Sequence, residues 1–552
     1  MDSSPLLSFP SPPSPSAAVA FTGVVDFRSR PVSRSSSGRW SAAIFIIGAQ
    51  IAERFAYYGI SSNLITYLTG PLMLSTAAAA TFVNTWSGVA LMLPLAGAFV
   101  ADSYLGRYRT VLFSSLLYIL GIGLLTLSSI LPRLRPPKCS INDGKACGPN
   151  HFQIGFFYFA LYLAALGQGG HKPCTQAFGA DQFDEKDPEE NISRSSFFNW
   201  SYYGLCLGAT VSIIILNCVQ DNISWALGFG IPCIAMGLAL LLFLLGTKTF
   251  RFYQVEGETP FFRIGKSLVA LFKGRMVSSH LLSEGAGLDC TMFVKDEVAD
   301  GIEMEEAMGL LQLVPIWATC LIHAVLFAQI STFFTKQGST LDRRIGSSFQ
   351  IPPAALQSFV SISVVAFIPI YDRILVPVSR NFSRIPTGIT QLQRIGIGIT
   401  LSIISMVIAA LVEVKRLKTS KEYGLIDQPN ITIPMSLWWL APQYILYGIT
   451  EVFLMVGLQE FFYDQVPNAL RSLGLALYMS IFGIGSFISS FLIAAIDKAT
   501  SKSGESWFCD NLNRAHLDYF YWFLAGLSFV GLIIYLYFAR SYVYKKKQNA
   551  VV

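Results

Sequence analysis

Four ionisable side chains sit where ionisation is expensive. Glu53 and Arg54 lie midway along an apolar stretch at 41–68, Lys172 in another at 152–178, and Glu451 in a third at 435–461. A charge at the centre of a bilayer-spanning helix costs roughly 2.5–3.5 kcal/mol even on permissive scales, so each demands a partner or a water-filled cavity. Gln50, Glu53, Arg54 and Tyr57 are spaced i, i+3, i+4, i+7, which lays them along one helical face. Two readings fit that face: a Glu–Arg pair that only holds a bundle together, or a polar seam lining the interior of the bundle. Lys172 follows Leu166-Gly167-Gln168-Gly169-Gly170-His171 and precedes Pro173, a glycine-loosened run whose backbone could line a cavity. Glu451 follows Tyr447-Gly448-Ile449-Thr450. If these two stretches hold equivalent places in two halves of the chain, the Lys and the Glu could meet and exchange partners on binding, which makes a gate.

Enzymatic chemistry finds little support. The five histidines (His151, His171, His280, His323, His516) include no HExxH spacing for zinc. Gly265-Lys266-Ser267 resembles the end of a phosphate loop, but the leading glycine would fall at Pro260. No enzyme activity, cofactor or metal is expected.

The elements that must position the charges follow from composition. Of 552 residues 53% are hydrophobic and 13% charged, about half the usual charged share of a soluble chain. The mean hydropathy of +0.50 is spread along the whole sequence, which excludes a soluble enzyme with one anchor. Twelve stretches are long enough to cross a bilayer, at 41–68, 77–101, 108–132, 152–178, 196–217, 224–246, 308–334, 352–378, 395–413, 435–461, 470–496 and 517–539. The expected fold is all-α and integral to the membrane, with twelve transmembrane helices in two six-helix bundles. The organisation reads as a Ser/Pro-rich disordered tail (1–40), an N-terminal bundle (41–246), a polar central loop (247–306), a C-terminal bundle (307–540) and a basic tail (541–552). With the N-terminus in the cytoplasm, 24 Lys and Arg fall on that side against 14 on the other, so both termini are expected to be cytoplasmic. A net charge of +6 arranged this way marks membrane orientation, not nucleic-acid binding. Cys139 and Cys147 share one hydrophilic loop and could pair in an oxidising compartment.

Six segments in order carry a resemblance: Ala52-Glu53-Arg54-Phe55-Ala56-Tyr57-Tyr58-Gly59, Gly97-Ala98-Phe99-Val100-Ala101-Asp102-Ser103-Tyr104-Leu105-Gly106-Arg107-Tyr108, Ala177-Phe178-Gly179-Ala180-Asp181-Gln182-Phe183-Asp184, Phe197-Phe198-Asn199-Trp200, Ile368-Pro369-Ile370-Tyr371-Asp372-Arg373 and Glu460-Phe461-Phe462-Tyr463-Asp464-Gln465. From about Trp40 to the C-terminal tail the sequence resembles the plant nitrate and peptide transporter family, the plant branch of the proton-dependent oligopeptide transporters within the major facilitator superfamily. The resemblance implies that Glu53 and Arg54 belong to a proton and substrate site, that Tyr57 and Tyr58 line the cavity, and that Lys172 and Glu451 form a gating salt bridge. It also implies that Asp102 with Arg107, and Asp372 with Arg373 in the second half, latch the helices on the cytoplasmic side.

Two positions depart from the family pattern. The first-helix motif usually reads Glu-x-x-Glu-Arg, and here its first position is Gln50, which keeps the hydrogen bonds but cannot titrate. Aligned on Ala328-Gln329-Ile330-Ser331-Thr332-Phe333, the family's nitrate-binding histidine falls at Phe327, with Gln329 two residues on; His323, one turn earlier, reads as a packed histidine. The function expected is alternating-access transport of a small solute across the bilayer, nitrate first, with protons as a second partner and coupling weakened by Gln50. A di- or tripeptide, a hormone, a glucosinolate or another organic anion is the alternative cargo, and a substrate-sensing receptor on the same fold is the other. The tail opens with Asp2-Ser3-Ser4-Pro5-Leu6-Leu7, similar to the dileucine signals that adaptor complexes read, so Asp2, Leu6 and Leu7 point to the vacuolar membrane, with the plasma membrane as the alternative.

Overall fold

The computed structural model describes residues 20–33, 37–135, 148–184, 187–253, 311–346, 349–383, 389–466, 471–502 and 506–544. The sorting residues Asp2, Leu6 and Leu7, the cysteines Cys139 and Cys147, most of the central loop and the last residues of the basic tail lie outside that description. Helices dominate the rest. In the first half they are α1 (Arg39–Ser61), α2 (Leu64–Thr69), α3 (Thr76–Val100), α4 (Arg107–Ile130), α5 (His151–Ala180), α6 (Pro188–Asn222) and α7 (Trp225–Leu245). In the second half they are α8 (Val314–Phe327), α9 (Phe333–Ser339), α10 (Ser358–Ile370), α11 (Val376–Ser383), α12 (Gln391–Glu422), α13 (Ala441–Asp464), α14 (Arg471–Ser501) and α15 (Leu517–Ser541).

Among the described residues, ten helical segments are long and apolar enough to cross a bilayer. The expected first and seventh spans are the broken ones. α1 carries the polar seam and is continued after a two-residue turn by α2, while the 14-residue α8 is continued by α9. Local chemistry sets several ends. Asn150 and Gln153 close a capping box at the start of α5, with bonds of 2.8 and 3.0 Å, and Thr390 with Gln393 does the same for α12. Prolines also lie inside α3, α5, α7 and α10.

Packing divides the helices into two sets. α1 packs on α5, α6 and α7, and α4 on α5 and α7; in the second half α12 packs on α13 and α15, and α8 on α14 and α15. The sets meet along α3 with α14 and along α6 with α10. The hydrogen bonds between them fall toward the end opposite that where α1 begins and α15 finishes. Thr76 N donates to Asp510 at 2.7 Å, Lys336 Nζ to Thr69 at 3.1 Å, Gln357 Nε2 to the Ser62 carbonyl at 2.8 Å and Asn84 Nδ2 to Ser489 Oγ at 2.9 Å.

The tail departs from expectation. Residues 20–33, placed within an unpacked segment, pair as strands β1 (Ala20–Val25) and β2 (Pro31–Ser33), and β1 pairs again with β3 (Phe252–Tyr253), just after α7. Asp26 makes the turn by accepting the backbone N–H groups of Arg28 and Arg30, both at 2.8 Å. Strand pairing to a segment more than 200 residues away leaves no local trace in a Ser/Pro-rich composition.

Candidate substrate site between the two helix sets

α1 presents the polar seam toward the junction. Gln50 and Glu53 are buried, and Arg54 keeps 18% of its side chain exposed. Gln50 Oε1 accepts from Ser201 Oγ on α6, so the member of the seam that cannot titrate is fixed to a neighbouring helix. Glu53 Oε2 lies 3.9 Å from Arg54 Nε, and its Oε1 is buried with no hydrogen-bond partner. An orphaned buried oxygen is costly and favours a hydrogen-bond donor placed beside it. Tyr57 stacks on Trp86 with ring centroids 5.9 Å apart and meets Tyr58 edge-on at 5.3 Å.

Other helices bring further charges. Lys172, on α5, lies in electrostatic range of Arg54 and Glu53. Glu451, on α13, lies in range of Tyr58 on α1, Tyr202 on α6 and Tyr478 on α14. Two cations, two carboxylates and a ring of tyrosines drawn from both helix sets thus surround one region. Sequence reasoning missed Tyr202 and Tyr478, because phenols in an apolar helix look like packing residues. Lys172 and Glu451 form no ion pair with each other in this conformation.

The glycines before Lys172 have a different use from the one expected. α5 is continuous from His151 to Ala180, and a Cβ at Gly167 would stand 2.4 Å from the backbone nitrogen of Tyr118 on α4. The run lets α5 touch its neighbours; it does not open the helix. His323 is buried, with a ring nitrogen 3.2 Å from the Tyr447 hydroxyl and the two rings stacked. Phe327 packs edge-on against Phe482 at 5.6 Å. Gln329, named with the substrate site in the sequence, donates instead to Val325 O at 2.7 Å and to Ser489 Oγ at 3.0 Å, the oxygen that also accepts from Asn84. It belongs to the joint between the sets.

The latch motifs sit on irregular backbone. Ala101–Leu105 and Tyr371–Leu375 are matching π-turns at the ends of the second and eighth spans. The side chains of Asp102 and Asp372 lie outside the described residues, and Arg373 is exposed. Arg107 donates to both carboxylate oxygens of Asp181, at 2.7 and 2.6 Å, joining the start of α4 to the end of α5. In the second half Arg394 lies 4.3 Å over the Tyr371 ring and 3.6 Å from Glu460. Asp181 and Glu460 both stand inside motifs quoted above, but spacing alone did not reveal their partners.

One more cluster lies beyond the apolar part of α6. Glu190 accepts from Arg251 Nη1 at 2.6 Å, Arg39 Nε at 2.8 Å and Asp184 N at 2.7 Å. Burial pushes its carboxyl up, but these bonds outweigh that and hold it down at about 2.

The model of the PTR2 (POT) family matches residues 108–508, most of the chain and the whole of the site except α1. The chain belongs to the POT family. This POT-family chain is 60% identical over 540 residues to Protein NRT1/ PTR FAMILY 5.10 of Arabidopsis thaliana, covering 95% of this chain and 96% of that one. It is 52% identical to Protein NRT1/ PTR FAMILY 5.13 of the same plant, with the same coverage. The crystal structure of an auto-inhibited POT family peptide transporter matches the fold with a TM-score of 0.71 at 22% identity, over 92% of this chain and 98% of that one. The chain is therefore a multi-pass membrane protein of a family that transports small solutes, built on the major facilitator fold.

Proposed function

We propose that the protein moves nitrate across its membrane by alternating access between the two helix sets, treated as bodies 41–246 and 307–540. The observation that carries this is the pair of cations, Arg54 and Lys172, within electrostatic range of each other beside a carboxylate with one unsatisfied oxygen. Two neighbouring cations that share one nearby carboxylate attract an anion. With Phe327 in place of a histidine and His323 bonded to Tyr447, the anion rests on Arg54, Lys172 and the tyrosines. Glu53 or Glu451 carries whatever proton coupling remains with Gln50 in place, and Lys172 pairs with Glu451 when the set ends carrying the termini close. Asp102, Arg107, Asp372 and Arg373 act on that closure without touching cargo. Both termini are cytoplasmic, and the tail signal directs the protein to the vacuolar membrane through an adaptor complex.

A carboxylate-bearing solute is the second reading, because the same cations would hold a peptide or organic-anion carboxylate and a solved relative of the same fold is a peptide transporter. Uptake of isotopically labelled nitrate into proteoliposomes, with and without a pH gradient and with a dipeptide as competitor, separates the two. Saturable nitrate flux is expected, depressed strongly in Lys172→Ala. Dipeptide flux without nitrate flux would overturn the reading.

A further inference from the structure

The chain contains five Asn-x-Ser/Thr triplets without proline in the middle, at Asn191, Asn199, Asn222, Asn381 and Asn430. Such a triplet is an acceptor for N-glycosylation only if it reaches the non-cytoplasmic side on an accessible loop. The transferring enzyme is itself embedded in the membrane and works on chain held clear of the bilayer. The fold sorts the five by these two demands.

Asn191, Asn199 and Asn381 belong to the cytoplasmic connections or to a span when both termini are cytoplasmic. Asn222 faces the other way but is the last residue of α6, and α7 begins at Trp225 with Ser224 of the same triplet as its cap. It lies pinned at the bilayer surface. Asn430 is different. α12 is 32 residues long, about 48 Å at about 1.5 Å per residue, against a hydrocarbon core of about 30 Å. The excess falls at its C-terminal end, where Glu413, Lys415, Arg416, Lys418, Lys421 and Glu422 succeed the apolar run. The Glu413–Arg416 pair there is held at 2.5 Å and braced by Gln337 and Asn513, which makes a rigid stalk. Beyond it Pro429-Asn430-Ile431-Thr432 forms an exposed turn on the rim of a hollow of about 220 Å³.

We propose that Asn430 carries an N-linked glycan on the non-cytoplasmic face, a proposal that rests on the orientation read from the Lys and Arg distribution. In the transfer, the Asn430 side-chain nitrogen forms a bond to the anomeric carbon of a lipid-pyrophosphate-linked oligosaccharide. The bond from that carbon to the pyrophosphate oxygen breaks, the lipid pyrophosphate leaves, and the nitrogen gives up one proton. The Thr432 hydroxyl is the recognition element of the acceptor.

The full chain is expressed in plant cells and treated with peptide N-glycosidase, its glycopeptides are mapped by mass spectrometry, and Asn430→Gln, Thr432→Ala and Thr432→Ser are compared. One glycan's mass is expected to leave the wild type and Thr432→Ser and to be absent from Asn430→Gln and Thr432→Ala, with all variants eluting as monodisperse protein. Gly144→Thr completes an acceptor at Asn142 in the loop at 136–147, on the same side by charge count. A glycan at Asn142 in that variant with Asn430 bare would overturn the proposal and leave the orientation standing. Glycan at Asn191 or Asn381 would overturn both, and a bare wild type with a bare Gly144→Thr variant would likewise reject the glycan.

Discussion

Gln50 separates binding from coupling in the α1 seam. As glutamine it accepts from Ser201 and stays neutral at every pH, while Glu53 beside it has one oxygen unsatisfied. Gln50→Glu returns a titratable group to the same face and is expected to steepen the pH dependence of flux in proteoliposomes; a superimposable pH profile would remove this position from coupling. Lys172→Ala and Glu451→Ala remove one partner each from the proposed gate. Each should reduce flux at least about tenfold with folded protein recovered in normal yield, and a wild-type rate in either would end the gate assignment. These residues were legible in sequence because a charge within an apolar run has few reasons to be there. The partners of Asp181 and Gln329 were not. A carboxylate at a helix end is ordinary, and its bond to Arg107 spans 74 positions, while Gln329 is claimed by a serine 160 positions away.

At the scale of elements, two contacts carry measurable stability. Gly167→Ala puts a methyl group into the backbone of α4, which cannot move aside as a side chain would. The expected cost is about 1–3 kcal/mol, with a lowered thermal midpoint in detergent; an unchanged midpoint would mean that α4 and α5 are looser than drawn. The Glu190 cluster ties the starts of α1 and α6 to the segment after α7. Its carboxyl sits below the ordinary 4.5, at about 2, so its stabilisation is complete above pH 4.5 and is lost as pH falls toward 2. Glu190→Gln should lower stability at neutral pH and flatten the fall between pH 4.5 and 2 in a thermal-shift series. Ten of the expected spans were readable from apolar length alone, and the other two fall where α1 gives way to α2 and α8 to α9. The hairpin of residues 20–33 was hidden because its third strand, and the arginine that holds Glu190, come from beyond α7.

For the whole molecule, the inter-set bonds gathered at one end imply a population that can be shifted. Asp510 accepts the backbone N–H that opens α3, and Asn84 with Gln329 shares Ser489 deeper in the same joint. Each such bond stabilises only the conformation closed at this end, since opening it moves the partners apart, so weakening them acts directly on the equilibrium between states. A loss of about 1.4 kcal/mol changes that equilibrium about tenfold. Asp510→Ala combined with Ser489→Ala should therefore transfer protein to the state open at this end. Spin labels at exposed Met73 and Lys502, which flank the joint on opposite sets, would report it by pulsed dipolar spectroscopy. A second, longer distance is expected in the variant and a single short one in the wild type. If the two distributions coincide, the joint holds the sets together without choosing between their arrangements, and alternation must be controlled from the Arg107–Asp181 end instead.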